Sequence, residues 1–266
     1  MARLSEIYTI NLEQKKRGSG MKKLKVCWIS AGVSSFIAGY LERDTIDKYL
    51  YIDIEDQHPD SLRFIKDCEK VLGKEIEVLK SPYGNVENAV RAFGQIKNIR
   101  THFFPCTNWL KKRVRKEWEL EHADCEITYV WGMDCNEIKR AENLKETMID
   151  FEHSFPLIEK GLSKADAHGM LADLGIRRPY MYELGYNNNN CIGCVKGGMG
   201  YWNKIRMDFP DVFEKRAKME RDIGNRCLKE YYLDELPPDK GRMSEEVLEE
   251  CSIFCHLAML EMEATE

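Results

Sequence analysis

A chain of 266 residues suits one sizeable domain, or a domain with an appendage, since domains cluster at about 100–200 residues. Its net charge of −5 supplies no general basic field for nucleic acid or an anionic membrane, so any such contact needs a local patch. The longest apolar runs, Val26 to Ile29 and Ile127 to Val130, fall far short of the roughly 18 residues that span a bilayer.

In chain order, residues 1–20 are polar and end in Arg17-Gly18-Ser19-Gly20 before a second methionine, Met21. They read as a leader fused through a short flexible linker, or as a natural N-terminal arm. No apolar stretch with a small-residue cleavage site precedes Met21, so the expected compartment is the cytoplasm. Lys22 to Ile29 reads as a strand entering a core, followed by a Gly/Ser turn and a helix through Phe36 to Leu41. Ser34 and Ser35 then fall where N-caps belong. The cycle repeats with a strand from Lys48 to Ile54 and a helix from Ser61 to Leu72, whose expected buried set is Leu62, Phe64, Ile65 and Val71. A third strand spans Glu75 to Leu79, helices span Val86 to Ile99 and Trp109 to Leu120, and a further strand spans Glu126 to Trp131. Strands alternating with helices predict an α/β fold: a mostly parallel open sheet with helices on both faces.

From Met133 the texture turns to helix and loop. Helices are expected over Asn136 to Met148, over Ser163 to Leu174 with Ser163 as N-cap, through Tyr201 to Tyr232, and from Ser244 after a break at Pro237-Pro238. Pro179 to Asn190 reads as a loop. The expected division is a nucleotide-binding α/β domain over 21–150 and a helical, cysteine-bearing region over 151–266.

The loop Ser30-Ala31-Gly32-Val33-Ser34-Ser35 sits between strand and helix, where a phosphate finds converging backbone N–H groups, hydroxyls and the positive end of a helix dipole. Ser30, Gly32, Ser34 and Ser35 supply those parts; an ordinary strand-to-helix turn uses the same small residues. Ten cysteines in a chain expected in a reducing compartment point to buried, catalytic or metal-bound thiols. Cys191-Ile192-Gly193-Cys194 is a C-x-x-C whose thiolates can share one metal ion or cluster, or form a redox pair. The basic run Lys111-Lys112-Arg113-Val114-Arg115-Lys116, flanked by Trp109 and Trp118, suits a phosphate, a sulfate or, over residues 109–118, a nucleic-acid backbone; such runs are also common solvated helix faces. Arg140 is a second phosphate candidate, or an i,i+3 partner of Glu137. His58 and His153 read as loop histidines without a role, and Trp28 and Phe36 as core.

In order along residues 24–225, the chain resembles the phosphoadenosine phosphosulfate reductase family of the PP-loop ATP pyrophosphatase superfamily, with its adenine nucleotide alpha-hydrolase-like fold. The resemblance rests on the loop at Ser30, Tyr51-Ile52-Asp53, Trp131-Gly132-Met133 with Glu137 and Arg140, His153-Ser154-Phe155-Pro156-Leu157-Ile158, and Gly175-Ile176 through Tyr182-Glu183-Leu184-Gly185-Tyr186 into Cys191 and Cys194. The family's loop commonly reads Ser-Gly-Gly-x-Asp-Ser, so Ala31 and Ser34 are departures that favour binding over ATP cleavage.

The resemblance implies an adenine nucleotide, ATP or an adenylyl sulfate, on Ser30 to Ser35, with Asp53 near ribose or adenine, Gly132 and Arg140 beside it, and room for Mg2+. It implies Lys111, Lys112 and Arg113 beside an anionic substrate. It also implies a 4Fe–4S cluster, or zinc, on Cys106, Cys191 and Cys194, with Cys255 or Cys251 as fourth ligand or an iron left open. The reaction implied is reduction or sulfur transfer with a thiol electron or sulfur donor. Two rivals are a pyrophosphatase activating nucleic acid for thiolation, and an inactive nucleotide-binding module. Reductases of the family use a cysteine in a C-terminal Glu-Cys-Gly-Leu/Ile-His tail, which Glu250-Cys251-Ser252-Ile253-Phe254 partly echoes, making Cys251 the candidate nucleophile; the apolar helix around it equally suits an inert core thiol.

Overall fold

The computed structural model describes residues 21–98 and 103–243. The expectations placed on residues 1–20, on the helix from Ser244, and on Cys251 and Cys255 lie outside the described residues. Packing divides the chain into two compact units: residues 21–51, 64–79 and 114–178 form the first, and 52–63, 80–98, 103–113 and 179–243 the second.

The first unit is organised by β1 (Lys22–Ile29), whose opening lysines are exposed and whose last four residues are buried. A parallel strand is covered on both faces, which is why its end reads as a continuous apolar run. With β2 (Lys48–Asp53), β3 (Ile76–Lys80), β4 (Cys125–Val130) and β5 (Glu152–Ser154) it makes an all-parallel sheet in the order β3-β2-β1-β4-β5. Cys27 stands opposite Tyr49 of β2 on one side and Val130 of β4 on the other. Parallel neighbours need crossover connections, and α1 (Val33–Leu41) and α2 (Asp60–Leu72) supply them after β1 and β2. Phe36 of α1 meets Phe64 of α2 edge-on, centroids 6.1 Å apart, a geometry worth about 0.5–1.5 kcal/mol beyond area burial. Trp28 and Phe36 are core residues.

Several boundaries differ from expectation. The N-cap of α1 is Gly32, and Ser34 and Ser35 lie inside its first turn. Leu62 is exposed and Val71 half-buried, because the inward stripe of α2 runs Ser61, Phe64, Ile65, Cys68 and Leu72 at helical spacing. The helix expected to reach Ile99 is α3 (Val86–Phe93), stopped by Gly94 in the left-handed conformation. The helix expected from Trp109 starts four residues earlier: α4 (Pro105–Thr107) has Pro105 in its first turn and runs through a π-helical turn, Asn108–Lys112, into α5 (Arg113–Glu121). β4 opens and closes one residue earlier than expected. Next come α6 (Ile138–Thr147), two residues shorter at its start than predicted, and the unforeseen three-residue strand β5.

After α7 (Pro156–Glu159), α8 (Lys164–Asp173) begins at Ser163 as expected: Ser163 accepts from the Asp166 N–H, and the Asp166 carboxylate accepts from the Ser163 N–H. In the second unit the predicted loop at 179–190 contains α9 (Tyr180–Glu183). The long helix expected over 201–232 is two, α10 (Met199–Asp208) and α11 (Pro210–Ile223), because Pro210 cannot continue the first. Among the described residues no helix is long and apolar enough to cross a membrane.

Candidate functional site

β1 ends at Ile29, just before Ser30, and β4 at Val130, just before Trp131, on either side of the point where strand order reverses. Open α/β sheets bind ligands outside the carboxyl ends of their strands at such a point. No side-chain hydrogen bond caps α1 at Gly32, and the Phe36 N–H is the first to close back, onto the Gly32 carbonyl at 3.3 Å. The N–H groups of Val33, Ser34 and Ser35 therefore have no intrahelical acceptor and lie at the positive end of the helix dipole.

The loop braces itself. Ser35 Oγ accepts from the Ser30 N–H at 3.1 Å, donates to the Gly32 carbonyl at 2.9 Å, and lies 3.1 Å from Ser30 Oγ. With the Ser35 proton committed to Gly32, Ser30 is the donor of that last bond. Both of these hydroxyls hold the loop's shape rather than standing open as phosphate donors, which leaves the backbone, together with Ser34, as the donor set. Ala31, fully buried, has φ +57, a left-handed conformation costing an alanine about 1–2 kcal/mol.

Gly132 supports the loop from the end of β4. A Cβ there would lie 2.5 Å from the Ser35 nitrogen and 2.7 Å from the Ser34 carbonyl carbon, so the approach requires glycine. Nearby, the Trp131 indole N–H donates to His153 Nδ1 at 3.0 Å, and His153 Nε2 lies 3.0 Å from the Met148 carbonyl. That pairing fixes the neutral tautomer protonated on Nε2, and burial lowers the His153 pKa. His153 is thus a partly buried brace rather than a surface histidine. Arg140 pairs with Glu137, whose other carboxylate oxygen accepts from the Asp134 N–H at 3.1 Å. The pairing with Glu137 is the i,i+3 alternative weighed for Arg140. In the second unit, Asp53 at the end of β2 pairs with Lys80 at 3.4 Å.

The second unit holds Cys106, Cys191 and Cys194, all buried. The Cys194 N–H donates to the Tyr201 hydroxyl at 2.9 Å, and that hydroxyl donates to the Cys191 carbonyl at 3.1 Å, closing the C-x-x-C turn. Burial first, then the neighbouring Cys194, push the Tyr201 phenol pKa well up, so it stays a neutral donor. The Lys196 ammonium lies 4.3 Å from the Phe104 ring, which brings the end of this turn beside the segment carrying Cys106. Among the described residues no three His, Cys, Asp or Glu side chains are gathered into a metal-ligand group.

No protein-family model and no curated protein matches the chain.

The basic run is not a uniformly solvated face. Lys112 and Arg115 are each 3% exposed, Lys111 and Arg113 half-buried, and the Arg113 guanidinium lies 5.2 Å from the Trp109 ring.

Some polar residues of this unit carry no sequence signal. Among the described residues, both amide atoms of Asn108 and the Thr107 hydroxyl are buried without a hydrogen-bond partner, a state costing about 1–3 kcal/mol per group. π turns recur at functional sites. Arg216, Asp56 and Tyr201 organise the thiol turn. Nothing in the local pattern marks Arg216 among the other charges of α11; its burial emerges only in the fold.

Proposed function

We propose that the chain is an adenine-nucleotide-binding enzyme of the phosphoadenosine phosphosulfate reductase kind, with the PP-loop superfamily's fold, that carries out reductive or sulfur-transfer chemistry on an adenylylated or sulfated substrate. The observation carrying this reading is the start of α1: three N–H groups at a helix terminus, beside the strand-order reversal, on a loop braced by Ser35 and backed by Gly132. An anionic phosphate is the ligand such a terminus favours. The phosphates of ATP or adenylyl sulfate would sit on Val33, Ser34 and Ser35 N–H groups, with Ser30, Ala31 and Gly32 shaping the loop. The first turn of α1 holds no carboxylate, so Mg2+ accompanying ATP would take no ligand from it. That favours binding over ATP cleavage.

Asp53 and Arg140 are proposed for the ribose or adenine and for phosphate, each released from its present ion pair. Lys111, Lys112 and Arg113 would hold an anionic substrate in the second unit. Cys106, Cys191 and Cys194 are proposed to hold a 4Fe–4S cluster or zinc, Cys255 serving as fourth ligand. Soft, buried thiols suit either group chemically, although the described residues do not assemble the set. Such a cluster would supply electron transfer or, without Cys255 as a ligand, an open iron for sulfur; the chain's own residues bind, orient and exclude water. Cys251 is the proposed thiol nucleophile if the reaction is reductive, a soluble thiol protein then being the electron donor, in the cytoplasm.

The Arg113–Trp109 stack favours a second reading, activation of a nucleic acid for thiolation, because a guanidinium over an indole is a common seat for a backbone phosphate and base. The deciding experiment combines anaerobic purification and metal analysis with thermal shifts in ATP and adenylyl sulfate, followed by assays for sulfite and for pyrophosphate with and without nucleic acid. Sulfite release supports the leading reading and nucleic-acid-dependent pyrophosphate the second. No shift with any adenine nucleotide refutes both.

A further inference from the structure

We infer that Arg216 is a positioning residue for the Cys191-Ile192-Gly193-Cys194 turn and that Asp56 ties this turn to the segment following β2. The inference rests on the proposed role of these thiols. Arg216 Nε donates to the Gly193 carbonyl at 3.2 Å, and its terminal nitrogen pairs with the Asp56 carboxylate. The Asp56 backbone carbonyl accepts from the Ile192 N–H at 2.7 Å, and its second carboxylate oxygen accepts from the Val86 N–H at 2.6 Å. Gly193, at φ +67, seats the turn directly on α11: a Cβ there would lie 2.7 Å from Val212 Cγ1 and 3.4 Å from Arg216 Cγ.

Together with the two Tyr201 bonds, these contacts hold the first and the last of the three peptide groups between the two thiols. The Arg216 side chain is 4% exposed. An ion pair so deep contributes little net stability compared with well-packed apolar side chains, so stability alone gives no reason for it to lie under this turn. Fixing the direction of the two sulfurs does, because metal-binding side chains depend on outer partners for orientation.

The test uses the reduced, metal-free full chain, titrated anaerobically with Co2+ and followed by thiolate-to-cobalt charge-transfer absorbance. Arg216→Met is expected to weaken Co2+ binding by about 10–100-fold. Arg216→Lys, which keeps the charge without the fork, should recover part of the loss. Arg221→Met, on the same helix, removes exposed ion pairs to Asp234 and Glu235 and should leave Co2+ affinity unchanged. Wild-type affinity in Arg216→Met, or an equal loss in Arg221→Met, overturns the inference.

If the wild-type chain takes no Co2+, the metal reading fails by itself, and the equilibrium of the two thiols with glutathione decides the positioning role. There, oxidised glutathione accepts two electrons and two thiol protons and leaves as two glutathione thiols while the Cys191–Cys194 disulfide forms. Arg216→Met should move that equilibrium by about threefold or more, with Arg221→Met unmoved. An unmoved Arg216→Met, or a wild-type chain that forms no disulfide, overturns the inference.

Discussion

Gly132→Ala tests the contact on which the nucleotide site depends. The added methyl carbon would lie 2.5 Å from the Ser35 nitrogen and 2.7 Å from the Ser34 carbonyl carbon. Non-bonded heavy atoms settle near 3.5–4.0 Å, so either the first turn of α1 or the end of β4 must retreat by about 1 Å. Both obstacles are backbone, and no side-chain rotation relieves them. Overpacking of this kind costs about 1–3 kcal/mol, offset by about 0.4–1 kcal/mol from the stiffer unfolded chain. The net loss of about 0–2.6 kcal/mol lowers Tm by up to roughly 10 °C for a chain of this size. The same retreat takes the α1 N–H groups from hydrogen-bond distance toward about 4 Å of a bound phosphate, where such bonds are lost, so ATP or adenylyl sulfate affinity should fall by about tenfold or more. Gly169→Ala is the matched control. Gly169 lies exposed within α8, with nothing within 4 Å of a built Cβ, and the substitution should stabilise by about 0.5–1 kcal/mol. Scanning calorimetry and nucleotide titration of both variants decide the matter. Equal Tm changes of the same sign, or unaltered nucleotide affinity in Gly132→Ala, would refute the close approach.

Three further outcomes follow from the same geometry. Ala31→Gly relieves about 1–2 kcal/mol of left-handed strain but gives up about 0.8 kcal/mol of buried methyl and about 0.4–1 kcal/mol of unfolded-chain stiffness, so urea unfolding should find it within about 1 kcal/mol of wild type. Glu220, fully buried, accepts from the Cys227 N–H and from the Leu233 N–H at 2.6 Å, and burial raises its pKa. Glu220→Ala strands both donors and should cost about 2–5 kcal/mol by denaturant melt, with Glu220→Gln recovering part of the loss. Burial lowers the pKa values of His58, His153 and His168 below the ordinary 6.5. The unfolded chain then takes up protons first, so stability is complete above about pH 6.5 and declines as pH falls toward the depressed folded values. A Tm that is flat or rising between pH 7 and pH 5 would contradict this assignment.

How much of the fold was legible depended on whether a segment's fate was decided locally. β1 could be read to the residue because Lys22-Lys23 and Val26 to Ile29 carry the signature of a strand passing from surface to centre. Ser163 was legible as a cap because a serine opens that helical run, while its partner Asp166 emerged only in the structure. β5 was not, since Glu152-His153-Ser154 has no apolar pattern; it is a strand because the edge of β4 offers it a ladder, with Thr128 opposite Glu152. Leu62 misled for the complementary reason. Its neighbours Phe64 and Ile65 suggest an apolar cluster, and only the choice of Ser61, Cys68 and Leu72 as companions turns it outward.

The site divides along the same line. The phosphate loop was legible as a loop because small residues between strand and helix serve one geometry, yet the uses of its hydroxyls were not. Whether Ser35 faces a ligand or the Gly32 carbonyl depends on a single χ1 rotation, which composition does not encode. The consequence is physical. A loop that satisfies its own hydroxyls keeps its shape before any phosphate arrives, so binding need not order it first, and the strain at Ala31 is held by packing rather than by ligand. Ser35→Ala removes the brace but none of the proposed backbone donors. It should therefore lower Tm in the absence of nucleotide, and by somewhat more in its presence, because binding weakens through loop ordering. If Ser35→Ala instead lowers Tm only with nucleotide bound, its hydroxyl contacts the ligand, and the braced geometry is not the one that binds.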